Sequence, residues 1–385
     1  MLGVVVVLLL VAASLLVLVY QGVAIVFSYQ MPELLPEPIA PSRGPRPTVS
    51  VVIAARDEGL DLPVTLDAVI AQDYPDLEIV VVEGGSSDGT RAAVLARSAR
   101  VRLVDEPPLP PGWVGKSWAC ATGAAAARGE WLLFLDADVR LHPAAIRTLV
   151  DYTLRERADL ASLAPRVEMV GFWERVVLPF MVQMILTYFR APRVNRPDSR
   201  AALANGQCWL TSRSAYDRAG GHAAVRSRVL EDIAIARRYR AAGFTLRVAW
   251  SPRLAVTRMY RDRHEMFEGL LKNVHDTEFS AGRQLGLLVG LIALFWLPLA
   301  VLPVGLLTGT LLVTGVGAIL WIALFGKHAA FARGVGGSAG AGLLFPVAVG
   351  FYVVLLATSL RRGLRGEPVA WKGRRYPTVR AGGPD

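Results

Sequence analysis

The chain has 385 residues, of which 53% are hydrophobic and only 19% are charged, and its formal net charge is +10. Soluble proteins usually contain about 25% charged residues, so this composition argues against a wholly soluble protein. The basic residues are scattered between apolar segments without a nucleic-acid-binding motif, which favours anionic lipid or a diphosphate over DNA and RNA as partners. Cys120 and Cys208 belong to no CxxC or Cys/His cluster, so we expect two buried thiols and no zinc site.

The N-terminal residues 1–29 contain no Lys, Arg, Asp or Glu. Their apolar stretch is long enough to cross a bilayer, whereas a signal peptide would have a basic start and a shorter apolar core. We therefore predict an uncleaved transmembrane anchor over residues 1–29. Residues 30–47 contain many prolines, which predicts an extended linker because proline lacks the backbone N–H that helices and sheets need.

Strand and helix patterns alternate in the next segment, for which we predict one α/β domain over residues 48–280. Unbroken apolar strands between helices indicate a mostly parallel sheet that is covered on both faces. Such sheets bind ligands beyond the carboxyl ends of their strands. The predicted strands are 48–56, 77–83, 101–106 and 131–138, and the predicted helices are 62–72, 88–99 and 116–129.

Residues 170–192 are apolar and aromatic, but Glu174, Arg175 and Pro179 interrupt them. The uninterrupted part is too short to cross a bilayer, so we expect one or two helices that lie in the membrane interface. A helix buried in the protein core is the alternative.

The C-terminal part contains long uncharged segments. Residues 285–325 can supply two membrane spans with a turn near Pro303, and residues 341–360 a third, so we predict about three transmembrane helices over residues 284–360. Three crossings would put the basic tail, 361–385, on the opposite side from the α/β domain, whereas the positive-inside rule favours the cytoplasm for it. This conflict would be resolved if one apolar segment were re-entrant or lay in the membrane interface. The tail would then be able to contact the α/β domain.

Three motifs follow predicted strands or open predicted helices. Asp136 and Asp138 end the fourth strand, and a pair of carboxylates there suits Mg²⁺ or Mn²⁺, which would neutralise a diphosphate. The Gly/Ser-rich turn within residues 81–90 precedes a helix and favours a nucleotide. Glu231 and Asp232 open an amphipathic helix over residues 230–243, where a carboxylate serves either as a partner of the helix dipole or as a general base.

Together these motifs resemble the family 2 glycosyltransferases with the GT-A fold, over about residues 47–280. The resemblance rests on PTVSVVIAARDE (47–58), VVEGGSSDGT (81–90), LDAD (135–138) and the Glu-Asp pair at 231–232. It implies that Asp136 and Asp138 bind the nucleotide ribose and the metal, and that Asp232 is the base of an inverting single displacement. The implied donor-binding residues are Ala55, Arg56, Glu58, Glu83, Asp88, Lys116, Asp136 and Asp138.

A narrower resemblance is to membrane-bound glycosyltransferases that act on carotenoids and related isoprenoid lipids. It rests on segments 110–120, 204–207, 220–222, 229–238, 257–273 and 371–377. The alternatives without a role in binding or catalysis are a solvated lysine for Lys116, turn residues for 205–207 and a structural histidine for His222. The implied contacts with acceptor or diphosphate are Trp113, Asn205, Gly206, Gln207, Glu231, Arg258, Tyr260, Arg261 and Lys272.

Two departures from the family pattern bear on function. The family usually has two Asp residues, which help to hold the nucleotide base, where this chain has Glu83 and Gly84. Processive members also carry a QxxRW motif, whereas this chain reads EGLLKN over residues 268–273. The second departure favours transfer of a single sugar over polymerisation.

The resemblance implies an inverting hexosyltransferase at the cytoplasmic face of the plasma membrane, with a UDP-sugar, glucose favoured, as donor. The acceptor would be a hydroxyl group of a carotenoid or other isoprenoid in the bilayer. One alternative is a polyprenyl-phosphate or diacylglycerol glycosyltransferase. The other is a non-catalytic lipid-binding scaffold on a decayed GT-A fold.

Overall fold

The structure is a computed structural model, and it describes residues 11–23, 30–36, 46–274, 280–371 and 373–376. The strands are β1 (Val49–Ala55), β2 (Leu77–Glu83), β3 (Arg102–Asp105), β4 (Trp131–Asp136), β5 (Val139–Leu141), β6 (Leu160–Ala164), β7 (Arg166–Val167), β8 (Cys208–Ser212), β9 (Leu246–Trp250), β10 (Ala255–Thr257), β11 (Val369–Trp371) and β12 (Arg374–Tyr376). The helices of the α/β domain are α2 (Leu62–Ile70), α3 (Thr90–Leu95), α4 (Gly115–Ala126), α5 (Ala145–Arg155), α6 (Phe172–Tyr188), α7 (Arg213–Arg218), α8 (Glu231–Ala241) and α9 (Arg263–Val274). The remaining helices are α1 (Val11–Val23), α10 (Ala281–Leu291), α11 (Leu297–Thr308), α12 (Leu311–Gly334), α13 (Ala339–Gly342) and α14 (Phe345–Arg365).

The central sheet has seven strands in the order β3-β2-β1-β4-β8-β6-β9. All neighbouring pairs are parallel except those that β8 makes with β4 and β6. The predicted class, an α/β fold with a mostly parallel sheet, is therefore confirmed. In the register, Ala54 lies beside Asp136 and Ala55 beside Glu83, so β1, β2 and β4 end at the same edge of the sheet.

The sheet separates two apolar cores. On β1, Val51 and Ile53 face one core and Val52 faces the other, and all three side chains are fully buried. Alternate residues of a strand point to opposite faces, so a continuous apolar run fits only a strand covered on both sides. A smaller sheet in the order β5-β10-β7 flanks the end of β4 and pairs Thr257 with Val139.

The described part of the proline-rich linker, residues 30–36, is extended along the last strand of the sheet. Leu34 N donates to Trp250 O at 2.8 Å, and Trp250 N donates to Pro32 O at 2.8 Å. The linker is thus attached to β9. Residues 37–45 of the linker lie outside the described residues, as do 1–10 and 24–29 of the predicted anchor.

The segment 170–192 contains one long helix, α6, and a 3₁₀ turn over Ala191–Asn195 follows this helix. The middle of α6 is buried in a third apolar core, which it shares with α9 and α14. Pro179 lies inside the helix. Glu174, which we expected to interrupt the segment, instead caps the helix by accepting a hydrogen bond from Gly171 N.

Three helices among the described residues are long and apolar enough to cross a membrane: Ala281–Thr308, Leu311–Gly334 and Phe345–Arg365. The first joins α10 to α11 through a π-helical segment, Ile292–Trp296. The turn predicted near Pro303 is wrong, because Pro303 lies inside α11 and the chain reverses at Gly309, which has a φ of 66°. Glycine adopts this left-handed conformation without the steric penalty of a side chain, which explains the position of the turn.

Helix α14 lies along the α/β domain, and the segment 337–365, which contains α14, contacts that domain at both ends. At the start of this segment, Gly337 packs against Met169 and Pro179. At its other end, Arg362 Nη1 lies 3.7 Å from Glu268 Oε2 on α9. The hairpin that follows, β11–β12, therefore lies on the same side of the candidate membrane-spanning helices as the α/β domain.

Candidate active site

One cavity of about 560 Å³ lies at the edge of the sheet where β1 and β4 end. It extends from this polar edge to an apolar arm between α6, α9, α10 and α14. The arm is lined by Met181, Ile185, Val274, Leu287, Leu291 and Leu356, among others. Fifteen of the residues proposed from sequence line the cavity: Ala55, Arg56, Glu58, Lys116, Asp136, Asp138, Asn205, Gly206, Gln207, Glu231, Asp232, Arg258, Tyr260, Arg261 and Lys272.

Lys116 joins the two acidic motifs. Its Nζ lies 2.8 Å from Asp136 Oδ1 and 2.9 Å from Glu231 Oε1. Burial lowers the pKa of Lys116, but the two carboxylates outweigh burial and hold this pKa well above its ordinary value. The ammonium group therefore stays charged and connects the end of β4 to the first turn of α8.

Asp138 lies just past β4, in an environment rich in negative charge. Thr257 Oγ1 donates to its Oδ2 at 3.1 Å. Burial, with the negative charges of Asp136 and Glu58, raises the pKa of Asp138 to about 7. Carboxylates that lie this close together are a suitable oxygen-donor set for a divalent cation.

Asp232 is fixed by backbone groups at the start of α8. Its Oδ2 accepts from Gly206 N at 2.8 Å, and its Oδ1 accepts from Ile233 N at 2.8 Å. Burial and the neighbouring Glu231 raise its pKa to about 7, although Lys116 opposes them. A carboxylate with this pKa is well matched to accepting a proton near neutral pH.

The segment 205–207 lies between the two acidic motifs. Gln207 O accepts from Asp136 N at 2.9 Å, and Gln207 N donates to Asn205 Oδ1 at 3.0 Å. Gly206 has no room for a side chain, because a Cβ there would lie 2.8 Å from Asp232 Oδ2. These contacts connect the end of β4 with the carboxylate of Asp232.

Two cationic residues of the 258–272 region, Arg258 and Arg261, are held by acidic partners. Arg258 Nε donates to Glu174 Oε1 at 3.0 Å, and the Glu174 side chain is only 1% exposed. Arg261 Nη2 donates to Asp61 Oδ1 at 2.6 Å. Both arginines line the cavity while they connect α6 and α2 to the segment after β10.

Three residues proposed from sequence do not line the cavity. Glu83 Oε1 accepts from Ser86 N at 2.6 Å and so organises the Gly/Ser-rich turn. Asp88 accepts from Gly59 N at 2.8 Å and from Thr90 N at 2.9 Å. Trp113 packs edge-on against Trp118, with ring centroids 4.9 Å apart. A donor or acceptor contact by these side chains stays a prediction.

The cavity is also lined by residues that were not proposed from sequence, among them Glu106 and Arg374. Glu106 directly follows β3, so its place at a strand end was a usable signal. Arg374 lies on β12, within the segment 371–377 that contributed to the narrower resemblance, but was not itself singled out. His222 is buried, and its Nδ1 is bonded to Tyr216 Oη at 2.8 Å, as expected for a structural histidine.

Within the described ranges, no group of three or more His, Cys, Asp or Glu side chains is arranged as a metal site. Two carboxylates, Asp136 and Asp138, do face the cavity at the sheet edge. Mg²⁺ commonly takes one or two protein carboxylates and completes its coordination with substrate phosphates and water. The residues present therefore fit a divalent cation that binds together with a diphosphate.

The sequence model named "Glycosyl transferase family 2" matches residues 50–220, which include the sheet edge and both Asp136 and Asp138. Residues 50–220 are thus similar to the family 2 glycosyltransferases. The match supports the resemblance inferred from the motifs at 81–90 and 135–138, whereas the Glu-Asp pair at 231–232 lies beyond the matched residues.

Several curated proteins and solved structures are similar to this chain. The 4,4'-diaponeurosporenoate glycosyltransferases of Staphylococcus aureus strains USA300 and NCTC 8325 are 28% identical over 232 residues. The match covers 59% of this chain and 60% of these relatives' length.

Among solved structures, a mannosyltransferase from Pyrobaculum calidifontis, in complex with GDP-Man and Mn²⁺, is 18% identical with a TM-score of 0.49. That comparison covers 92% of this chain and 99% of that one. Glucosyl-3-phosphoglycerate synthase from Mycobacterium tuberculosis, with Mn²⁺ and UDP, is 20% identical with a TM-score of 0.43, covering 63% and 85% of the two chains.

Proposed function

We propose that this protein transfers one sugar from a nucleotide-sugar donor to an isoprenoid lipid held in the membrane. The observation that carries the proposal is the single cavity that joins the carboxylates of the sheet edge to an apolar arm between α6, α9, α10 and α14. A donor diphosphate is polar and an isoprenoid chain is apolar, so one continuous cavity with both characters suits a reaction between them. The S. aureus relatives, whose name specifies a carotenoid acid as acceptor, favour an isoprenoid over other lipids.

Asp232 is the general base in this mechanism. The acceptor hydroxyl gives its proton to Asp232 while its oxygen forms a bond to the anomeric carbon of the sugar. The bond from that carbon to the donor diphosphate breaks in the same step, and the nucleoside diphosphate leaves. Attack opposite the leaving group inverts the anomeric configuration.

Lys116 and the two aspartates of the sheet edge act on the donor. Asp138, with Asp136, would hold Mg²⁺ or Mn²⁺, which supplies positive charge to the departing diphosphate. Lys116 bonds Asp136 and Glu231, and its ammonium is close enough to the sheet edge to contact the phosphates. We favour a UDP-sugar, with glucose as the sugar.

We infer a membrane topology from the position of α14. Helix α10–α11 and helix α12 would cross the bilayer as an antiparallel pair, and α14 would lie in the interface beside α6, because both ends of its segment contact the α/β domain. The basic tail is then on the same side as the α/β domain, as the positive-inside rule favours for the cytoplasm. Labelling of single cysteines placed in the tail and at the α11–α12 turn tests this: only the turn should react from outside.

The test of the activity is sugar transfer by the full chain in lipid nanodiscs. Donors would be UDP-, GDP- and dTDP-sugars, and acceptors a hydroxylated carotenoid, a carotenoid carboxylic acid, a polyprenyl phosphate and diacylglycerol. Asp232→Asn would be compared with Asp217→Asn, which changes an exposed aspartate on α7. Transfer to an isoprenoid that the first variant loses and the second retains is the expected result.

The other outcomes of this assay would each change a different part of the proposal. Transfer only to polyprenyl phosphate or diacylglycerol would replace the acceptor class. A carboxylic acid acceptor is already ionised at neutral pH, so its glycosylation should depend much less on Asp232 than that of a hydroxyl. No turnover of any donor would favour the non-catalytic scaffold.

A further inference from the structure

The C-terminal hairpin, β11–β12, brings one side chain into contact with the far edge of the sheet. Arg374 Nη2 donates to Glu106 Oε1 at 3.0 Å and to Glu106 Oε2 at 3.1 Å. The Glu106 side chain is 4% exposed and the Arg374 side chain 18%. The ion pair connects residues that are 268 positions apart. Glu106 precedes the membrane helices in the sequence, and Arg374 follows them.

The ion pair occupies space that would be filled by side chains if two neighbouring residues were not glycines. A Cβ at Gly84 would lie 2.7 Å from Glu106 Oε2. A Cβ at Gly115, the first residue of α4, would overlap the Arg374 guanidinium. A buried ion pair is weak evidence for stabilisation, since desolvation offsets much of the attraction, so the arrangement calls for another explanation.

The pair lies at the polar end of the cavity. Arg374 and Glu106 both line it, next to Arg56 and Lys116. Arg56 Nη1 donates to Gly84 O at 2.7 Å, which ties the same corner to the Gly/Ser-rich turn. Three cationic side chains, from β1, α4 and the hairpin, thus face the space where the proposed donor diphosphate binds.

We propose that Arg374 is a donor-binding residue and that the C-terminal hairpin is a strap across the donor end of the cavity. This inference rests on the proposed function. Glu106 holds one edge of the guanidinium through Nη2, and the planar group has further N–H donors with which to bind phosphate oxygens. The strap connects the membrane helices to the donor site through Arg374.

Removing Arg374 alone would leave Glu106 as a buried carboxylate without its cation. Burial already raises the pKa of Glu106 even though Arg374 opposes the shift. The double variant Arg374→Ala/Glu106→Gln removes this uncompensated charge and separates loss of donor binding from misfolding. Gly115→Ala displaces the guanidinium and leaves both charges in the chain.

The experiment measures binding of UDP and GDP by calorimetry, and KM and kcat for the donor, with the full chain in nanodiscs. Losing a charge-assisted hydrogen bond to phosphate should raise the Kd and the donor KM about tenfold or more, with a smaller change in kcat. We expect this from Arg374→Ala, from the double variant and from Gly115→Ala. Arg365→Ala is the matched control, since Arg365 lies on the same segment, is 62% exposed and pairs only loosely with Glu367 at 3.7 Å.

The two proposals fail in different ways. If the wild type binds nucleotide and turns over donor while the double variant retains the wild-type Kd and KM, Arg374 has no part in donor binding and only this inference is overturned. If the wild type binds neither UDP nor GDP and turns over no donor, the proposed function is overturned as well.

Discussion

Gly206 donates its backbone N–H to Asp232 Oδ2 at 2.8 Å and leaves no space for a side chain on that side. In Gly206→Ala, the added methyl group would push the carboxylate away from the position set by α8. Because displacing a catalytic group by about 1 Å can lower a rate by about 100-fold, we expect a loss of this order in kcat. Steady-state transfer assays would measure it.

The matched control for that change is Gly315→Ala on α12, where an added Cβ meets nothing within 4 Å. It should leave both kcat and the apparent melting temperature unchanged. Equal activity of Gly206→Ala and wild type would contradict the assignment of Asp232 as a precisely placed base.

The pKa of Asp232, raised to about 7 by burial and by Glu231, predicts the pH dependence of transfer to a hydroxyl acceptor. The base must be ionised, so the active fraction should rise from about one tenth at pH 6 to about nine tenths at pH 8. A pH profile of kcat/KM for the acceptor measures this limb. A flat profile from pH 6 to pH 8 would argue against Asp232 as the base.

The same carboxyl group should make folding less favourable as pH rises, because its pKa is higher in the folded chain than in the unfolded chain. The stability of the folded chain should therefore fall as pH rises from the ordinary pKa of 3.8 to about 7, and change little with this group above that pH. Asp232→Asn should lose about 100- to 10,000-fold in rate yet melt at no lower temperature than the wild type at pH 8. A lower melting temperature would attribute its inactivity to unfolding.

Glu231 and Lys116 should move this pH profile in opposite directions. Glu231 raises the pKa of Asp232, so Glu231→Gln should shift the rising limb to lower pH. Lys116 lowers the same pKa, so Lys116→Met should shift the limb to higher pH, in addition to weakening donor binding. Profiles normalised to their own maxima separate these shifts from changes in overall rate, and parallel shifts would contradict the assignment.

Much of the sheet edge could be predicted because strand ends are local features of the sequence. The second strand was predicted with its observed bounds, 77–83, and the fourth within two residues. Parallel strands bring their carboxyl ends together, so a common location of the residues after β1 and β4 followed from the pattern. The helix predicted over 88–99 ends earlier, at Leu95, because the N–H groups of Arg97 and Ser98 bond three residues back and tighten the chain.

The contacts that could not be predicted are those between segments far apart in sequence. No local pattern places Arg374 on Glu106, and the composition of α14 is equally suitable for a membrane span and for an interfacial helix. Its orientation is decided by packing against α6 and α9, which only the folded chain brings together. Likewise, Glu83 ends a strand at the ligand edge, yet it bonds its own turn and does not reach the cavity.

Divalent metal should be needed for transfer, and Asp138 should be the residue through which it acts. Asp138→Asn keeps the size of the side chain but removes a negative charge from a site where Asp136 and Glu58 already raise the pKa of the carboxyl. We expect EDTA to abolish transfer by the wild type and Mn²⁺ to restore it. The variant should need at least about tenfold more Mn²⁺ for half-maximal rate. Full activity in EDTA would contradict the metal assignment.

The apolar arm of the cavity should determine which acceptors are used without affecting the donor. Leu287 lines the arm on α10 and is partly buried, whereas Leu285, two residues earlier, is 51% exposed and does not line it. Leu287→Trp should fill the arm and raise the KM for a long isoprenoid acceptor about tenfold, because an apolar chain excluded from the arm loses its buried surface. Leu285→Trp should not. Donor hydrolysis in the absence of acceptor should be the same in both variants, and a Leu287→Trp enzyme with an unchanged acceptor KM would show that the lipid chain binds elsewhere.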